Sequence, residues 1–215
     1  MSIYTLLPKI ETQFISKDIP DIDYGDTVHL DIETSGLDPV NDQLWVINIG
    51  YGPIEDGTFQ KSVICRIPDE VTCPPNLEKL MTGKSLKIIH NAIFDATWIY
   101  IKWGVKISNI RCTKILARLR RRSRNGYAAL TKAVTGLELP KGAITLSPWN
   151  LPFDQWSADM KNYCAYDVCF GYKIYKYLDA LITSKEREKY LTICQAFPPL
   201  LEAFKIMSYR DVRLL

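Results

Sequence analysis

One stretch of alternating residues, Val28 to Leu37 (VHLDIETSGL), constrains the fold more than any other part of the chain. Apolar and polar residues alternate through VHLDIE, and this period of two is typical of a half-buried strand. Because alternate side chains of a strand share a face, Asp31 and Glu33 lie side by side. Neighbouring carboxylates repel unless a cation or proton lies between them, and their oxygens suit Mg²⁺ or Mn²⁺. Two solvated acids at a sheet edge would give the same local pattern, so the rest of the chain must decide.

Length and composition are those of an ordinary globular protein. The 215 residues suffice for one large domain with or without a small appendage, and 47% of them are hydrophobic. A net charge of +3 is too small to identify a nucleic-acid-binding protein. Six scattered cysteines without a C-x-x-C pair argue against a zinc site and for free thiols in a reducing compartment. The N-terminus lacks a signal-peptide pattern and no apolar run has membrane-spanning length, so we expect a cytoplasmic protein.

The remaining patterns predict a sheet first and helices later. Residues 1–26 predict irregular structure that ends in a turn. Strands that are rich in apolar and β-branched residues are predicted at 28–33, 44–51, 59–67, 86–90 and 105–110, the first three as an antiparallel meander. Helices are predicted at 76–82, 91–100, 113–119 and 128–134, and a long one from 157 to about 183. We therefore expect an α/β fold with a mixed sheet flanked by helices.

Two further groups of polar residues lie on the predicted helices. Asp95 falls in the first turn of the helix that follows strand 86–90, with Asn91 at the N-cap position. Tyr163 and Asp167 are four residues apart in the long helix and therefore share one of its faces. Each arrangement is common on ordinary helices, so neither identifies a site by itself.

Taken in order, these segments resemble the three motifs of the DEDD superfamily of 3′→5′ exonucleases, in its tyrosine-bearing branch. The motifs are Asp31-x-Glu33-Thr34, Asn91-x-x-x-Asp95 and Tyr163-x-x-x-Asp167. The resemblance is strongest to the proofreading domain of DNA polymerase I and extends from about residue 28 to residue 181. It implies a ribonuclease H-like fold and a two-metal-ion hydrolysis of phosphodiesters that releases nucleoside 5′-monophosphates.

The resemblance assigns a role to each polar residue of the motifs. Asp31, Glu33 and Asp167 would hold one Mg²⁺ or Mn²⁺ ion, and Asp31 would bridge to a second ion. Asp95 would hold that second ion through water. Tyr163 would orient the attacking water by its hydroxyl, since a free tyrosine titrates near about 10 and is not ionised at neutral pH.

Substrate contacts are also implied. The backbone near Thr34 would contact the terminal nucleotide, and Asn91 would lie close to the substrate strand. Leu37 would wedge against the terminal bases, with a core contact as the alternative. Residues 118–124 contain five arginines, which suit either a solvated helix end or a track for the phosphates of a single strand. The track would be formed by three consecutive residues, Arg120, Arg121 and Arg122.

The preferred interpretation is a metal-dependent exonuclease that hydrolyses DNA from the 3′ end, with proofreading in DNA replication as its role. Its partners would be a single-stranded DNA 3′ end and a separate DNA polymerase chain. An exoribonuclease similar to ribonuclease D would use the same active-site residues. A non-catalytic nucleic-acid-binding subunit is the third interpretation.

Two regions are predicted, an exonuclease domain at 1–183 and a C-terminal helical extension at 184–215. The extension resembles the junction to a polymerase module, and its apolar residues cluster between Tyr190 and Tyr209, with a break at Pro198–Pro199. Exposed apolar surface often marks a binding site. We therefore expect the extension either to pack on the exonuclease or to dock onto a polymerase chain.

Overall fold

The centre of the molecule is a six-stranded mixed sheet with the strand order β1-β4-β3-β2-β5-β6. The computed structural model describes residues 7–67, 72–139 and 147–204, so the first six residues and residues 205–215 of the predicted extension lie outside the described part. The strands are β1 (Glu11–Ser16), β2 (Thr27–Thr34), β3 (Leu44–Glu55), β4 (Thr58–Arg66), β5 (Leu86–Ile89) and β6 (Ile110–Cys112). The described helices are α1 (Pro75–Thr82), α2 (Ala92–Trp103), α3 (Thr113–Leu119), α4 (Tyr127–Thr135), α5 (Ala158–Asp167), α6 (Gly171–Ala180) and α7 (Ser184–Phe204).

The sheet combines the predicted meander with parallel pairs. Strands β2, β3 and β4 pair antiparallel, as predicted, whereas β5 runs parallel to β2 and β6 runs parallel to β5. Strand β1, at the edge beside β4, replaces the irregular structure predicted for the N-terminal residues. Its residues are all exposed or half-buried, so the sequence lacks the buried face that would have revealed a strand.

The last predicted strand, 105–110, is largely wrong. Strand β6 begins only at Ile110, and the residues before it form an irregular segment. Val105 and Ile107 are nevertheless buried in the main core, which explains why this segment has the apolar pattern of a strand. Asn109 then adopts a φ of 54°, a left-handed conformation that a strand does not contain.

The long helix predicted near the C-terminal end is divided into α5 and α6 at residues 168–170. Two glycines explain the break, because they allow the backbone here to approach the sheet closely. A Cβ atom at Gly50 would lie 2.1 Å from the carbonyl oxygen of Val168, and one at Gly171 would lie 2.4 Å from Nδ1 of His29. Because of this break, the end of α5 lies close to β2 and β3, and Asp167 lies there with it.

Helix α7 contains the described part of the predicted C-terminal extension. It contacts α2, α3 and β6, and three of its side chains, those of Tyr190, Cys194 and Phe197, are buried in the main core. The helix continues through Pro198–Pro199, where a break was predicted, up to Phe204. Core packing of the preceding turns outweighs the low helix propensity of proline here.

The cysteines are free thiols, and five of the six are buried. Burial raises the pKa of Cys73 to about 12, so this thiol stays protonated at neutral pH. None of the described helices has the length and hydropathy that a membrane span requires.

Candidate active site

Strand β2 places two carboxylates on one face of the sheet, as its alternating sequence predicts. In the register with β3, Asp31 lies opposite Asn48 and Glu33 lies opposite Val46. The pairing becomes irregular between Glu33 and Thr34, and such a bulge changes the direction in which the following residues point. Carboxylate oxygens of Asp31, Glu33 and Asp167 lie within 4.8 Å of one another.

Helix α5 supplies the third carboxylate and the tyrosine. Asp167 is the last residue of the helix, and Tyr163 lies one turn earlier on the same face. The Tyr163 hydroxyl donates a hydrogen bond to the Asp167 carboxylate. Its ring packs against Trp149 with the two centroids 5.8 Å apart. The aromatic packing holds the hydroxyl beside the carboxylate cluster.

Asp95 enters the same region from the first turn of α2. Only 2% of its surface is exposed, and its Oδ1 atom has no hydrogen-bond partner among the described residues. Burial raises the pKa of Asp95 and the charge of Asp31 raises it further, although Asp95 is not among the three residues whose oxygens lie within 4.8 Å. This position suits a contact with a metal ion through water. Asn91 precedes the helix in a left-handed conformation, and its side chain makes no capping hydrogen bond to α2.

The carboxylates strongly perturb one another. Burial raises the pKa of Asp31 to about 7, and a hydrogen bond from Asn48 partly offsets this rise. Burial and then the charges of Asp31, Asp167 and Asp95 raise the pKa of Glu33 well above its usual range. Burial and then the charge of Asp31 also raise the pKa of Asp167 well above its usual range. The three clustered carboxylates and the nearby Asp95 therefore favour a bound proton or cation over four free charges.

The donor set fits hard divalent cations. The cluster consists of carboxylate oxygens alone, without the imidazole or thiolate ligands that zinc prefers. Mg²⁺ and Mn²⁺ bind such oxygens and would offset both the burial of the negative charges and their mutual repulsion. The carboxylates that were predicted as metal ligands thus form a site of suitable chemistry.

The tyrosine stays neutral at this site. Burial raises the pKa of Tyr163 far above its usual value, and the nearby charges of Asp167 and Glu33 raise it further. A neutral hydroxyl can orient a water molecule by hydrogen bonding but cannot act as an ionised base. The structure thus favours the positioning role over proton abstraction.

The loop after β2 presents Leu37 to solvent. Leu37 is 54% exposed, so the alternative interpretation as a core contact is wrong. Hydrogen bonds order the loop: the Asp38 backbone N–H donates to Asp42 Oδ2 at 2.9 Å, and Thr34 Oγ1 donates to the Gly36 carbonyl at 2.7 Å. A Cβ at Gly36 would lie 2.2 Å from Asp42, which shows how closely the loop is packed.

The predicted arginine track lies beside α6 and α7. Arg120 pairs with Glu186 at 3.7 Å, and Arg122 donates to the Tyr177 hydroxyl at 3.0 Å while its guanidinium lies over the same ring. Arg121 is exposed. Among the described residues, no ion pair or hydrogen bond joins this run to the carboxylate cluster, so a substrate track remains a prediction.

Sequence reasoning missed one polar residue beside the carboxylates. Asn48 is fully buried in β3, and its Nδ2 donates to Asp31 Oδ2 at 3.2 Å. The available signal was the lone amide in an otherwise apolar strand, LWVINIGY, because a buried amide requires a hydrogen-bond partner.

Comparisons with known proteins agree with this geometry. The family model of the 3′-5′ exonuclease domain of the DNA polymerase A type matches residues 10–183. No curated protein matches the sequence significantly. The structure of NrnC from Brucella melitensis superposes with a TM-score of 0.80 at 25% identity, covering 92% of this chain and 95% of that chain.

More distant structures share the fold. RNase D of Escherichia coli has a TM-score of 0.59 at 18% identity, covering 86% of this chain and 44% of that one. The catalytic core of RRP6 from Trypanosoma brucei has a TM-score of 0.65 at 18% identity, covering 82% of this chain and 45% of that one. The mixed sheet and the acidic cluster agree with the family match, which covers most of the chain. The chain therefore belongs to the 3′-5′ exonuclease family and is a DEDD-type, divalent-metal-dependent enzyme with a ribonuclease H-like fold.

Proposed function

We propose that this enzyme hydrolyses single-stranded RNA from its 3′ end, one nucleotide at a time, and uses two Mg²⁺ or Mn²⁺ ions. The observation that carries the proposal is the approach of three carboxylates within 4.8 Å beside a tyrosine hydroxyl. The choice of RNA is supported by the structural likeness to RNase D, which is described as an exoribonuclease involved in structured RNA processing. The likeness to NrnC, which has been solved with Mg²⁺ and with pGG, supports a short nucleic acid as substrate.

The acidic residues and Tyr163 would have different roles in hydrolysis. Divalent ions bound here supply an activated water and stabilise the leaving 3′ oxygen. Asp31, Glu33 and Asp167 would bind the ions directly, and Asp95 would do so through water. Tyr163, held by its hydrogen bond to Asp167, would orient the attacking water.

Contacts with the substrate would come from the ordered loop after β2 and from the start of α2. Leu37 would pack against the terminal base, while Thr34 and Asn91 would lie beside the terminal nucleotide. The run formed by Arg120–Arg122, in which Arg120 and Arg121 are exposed, would attract phosphates of the incoming strand, as cationic residues commonly do with single strands.

Removing the Leu37 side chain tests the base contact. We expect Leu37→Ala to raise KM about tenfold with little change in kcat, because an apolar contact that contributes about 1.4 kcal/mol to binding changes affinity by that factor. Val40→Ala is a matched control, since Val40 is 64% exposed on the same loop. Steady-state kinetics on a short oligonucleotide measure both variants, and equal KM values for both would refute the contact.

DNA is the second candidate substrate. It is favoured by the family model, which is that of the DNA polymerase A exonuclease domain. In that case the role would be proofreading, with a DNA polymerase chain as partner. Residues 1–183 would then carry the nuclease, and residues 184–215 would provide the docking element, through exposed side chains of α7 such as Ile193.

A comparison of matched oligonucleotides tests the proposal. RNA and DNA of one sequence, labelled at the 5′ end, are incubated with the enzyme in Mg²⁺ and in EDTA. We expect a ladder of single-nucleotide steps only when metal is present, and we expect RNA to be shortened faster than DNA. Faster cleavage of DNA would overturn the choice of RNA, and cleavage in EDTA would overturn the metal mechanism.

Two controls establish which protein produces the ladder and from which end. Asp31→Asn protein, purified in parallel, reveals any contaminating nuclease. An oligonucleotide with a blocked 3′ end should resist degradation, whereas one with a blocked 5′ end should not. Cleavage that starts from the 5′ end would contradict the assigned direction.

A further inference from the structure

We propose that Asn48 is a positioning residue that fixes the orientation of the Asp31 carboxylate for metal binding. This inference deepens the proposed function and rests on it. Asn48 lies in the middle of β3, directly opposite Asp31 in the antiparallel register, and none of its surface is exposed. Its Nδ2 donates to Asp31 Oδ2 at 3.2 Å.

Apart from the acids of β2 and the Cys164 thiol, the surroundings of Asn48 are mainly apolar. Its neighbours across and along the sheet on the same face include Val46 and Ile64, both fully buried in one apolar cluster with Trp149 and Cys164. The amide Oδ1 atom is buried without a hydrogen-bond partner among the described residues. A buried amide that is only partly hydrogen-bonded reduces stability compared with an apolar side chain of similar size. Fold stability therefore does not explain this residue, whereas the bond to Asp31 does.

The bond restricts Asp31 without using up its capacity as a ligand. A carboxylate offers about four acceptor positions on its two oxygens, so one hydrogen bond at Oδ2 leaves positions for metal ions on both. Because Asn48 is fully buried in the middle of β3, this hydrogen bond favours one orientation of the carboxylate group over others. Burial raises the pKa of Glu33, and the neighbouring Asn48 amide partly offsets that rise. Asn48 therefore lies close to both acids of the first motif, with its hydrogen bond on Asp31.

The test compares Asn48→Leu with Ile64→Val. Leucine has the branched shape of asparagine but cannot donate a hydrogen bond, whereas Ile64→Val alters packing beside Asn48 and changes no polar group. Loss of partners that orient metal ligands typically costs about 10- to 100-fold in metal affinity or activity. We expect Asn48→Leu to bind Mn²⁺ about 10- to 100-fold more weakly in a titration followed by electron paramagnetic resonance, which needs no substrate.

Kinetics and melting distinguish positioning from a structural role. Asn48→Leu should lower kcat at fixed Mn²⁺, regain activity as Mn²⁺ is raised, and leave KM for the oligonucleotide nearly unchanged. Its melting temperature without metal should be no lower than that of the wild type, because the variant removes a partly hydrogen-bonded buried amide. Ile64→Val should keep the wild-type Mn²⁺ affinity. If Asn48→Leu does not fold, Asn48→Ser, which shortens the side chain and moves the donor away from Asp31, is measured by the same criteria.

The outcomes separate this inference from the proposed function. Wild-type Mn²⁺ affinity in a folded Asn48 variant, with the wild-type enzyme binding Mn²⁺ and cleaving RNA, would overturn the role of Asn48 alone. Failure of the wild-type protein itself to bind Mn²⁺ would overturn the metal site and, with it, the inference. Weaker Mn²⁺ binding in Asn48→Leu and not in Ile64→Val would support it.

Discussion

Replacing Asp31 or Asp167 by asparagine is expected to slow single-turnover hydrolysis by at least about 10³-fold at saturating Mg²⁺. Metal ions stabilise the transition state by several kcal/mol, and each 1.36 kcal/mol corresponds to about a tenfold change in rate. Asparagine keeps the size of the side chain and removes only its charge. Asp56→Asn is a suitable control, because Asp56 is an exposed acid that pairs with Lys173. Wild-type turnover in either Asp31→Asn or Asp167→Asn would refute the assigned site.

The substitution that lowers activity should raise the stability of the metal-free protein. Burial raises the pKa of Asp31 from 3.8 to about 7, so the folded protein binds this proton more tightly than the unfolded chain. The ionised Asp31 therefore lowers the free energy of unfolding. This decrease is absent below about pH 4 and grows until about pH 7. Without metal, Asp31→Asn should therefore melt at a higher temperature than the wild type at about pH 8 and at a similar temperature at about pH 4. Saturating Mg²⁺ should raise the melting temperature of the wild type more than that of the variant. A lower melting temperature of the metal-free variant at about pH 8 would contradict the cost assigned to burying the Asp31 charge.

Tyr163→Phe is expected to lower the single-turnover rate by about 10²–10⁴-fold, with little change in Mn²⁺ affinity. A positioned group of this kind typically contributes that factor, and the phenyl ring keeps the packing against Trp149. Because the hydroxyl stays neutral, the wild-type rate should show no rise that follows tyrosine ionisation near about pH 10. Rapid-quench measurements of a labelled oligonucleotide give these rates.

The control for this substitution lies on the same helix. Tyr166→Phe also removes one hydroxyl, but that hydroxyl donates to the Pro8 carbonyl at 3.2 Å and not to the cluster. We expect this variant to keep most of the activity. An unchanged rate in Tyr163→Phe would reduce that residue to a packing role.

Local spacing explains why much of the site could be predicted from the sequence. The two-residue period of β2 places Asp31 and Glu33 on one face in any fold that contains the strand. Likewise, the four-residue spacing between Tyr163 and Asp167 places them on one face of any helix. The order of the motifs then indicated the family and its ribonuclease H-like fold.

The features of the fold and site that the sequence did not predict depend on long-range packing. The contact between Asp167 and β2 depends on the break between α5 and α6, which in turn requires glycine at positions 50 and 171 to let the backbone approach the sheet. Gly50 lies within strand β3 and Gly171 begins helix α6, and neither is distinguishable by local pattern from a glycine in an ordinary strand or helix. Strand β1 likewise exists because β4 pairs with it, and its own sequence is too polar to indicate a strand.

The sequence by itself therefore determined which acids share a face, since that depends on backbone periodicity alone. Only the tertiary structure determined which faces meet, and hence that three carboxylates from two elements share a space of a few ångströms. It also revealed Asn48, because a residue on a neighbouring strand becomes the partner of Asp31 only through the register of β2 against β3. That register depends on the packing of the whole sheet and on the turns that join its strands.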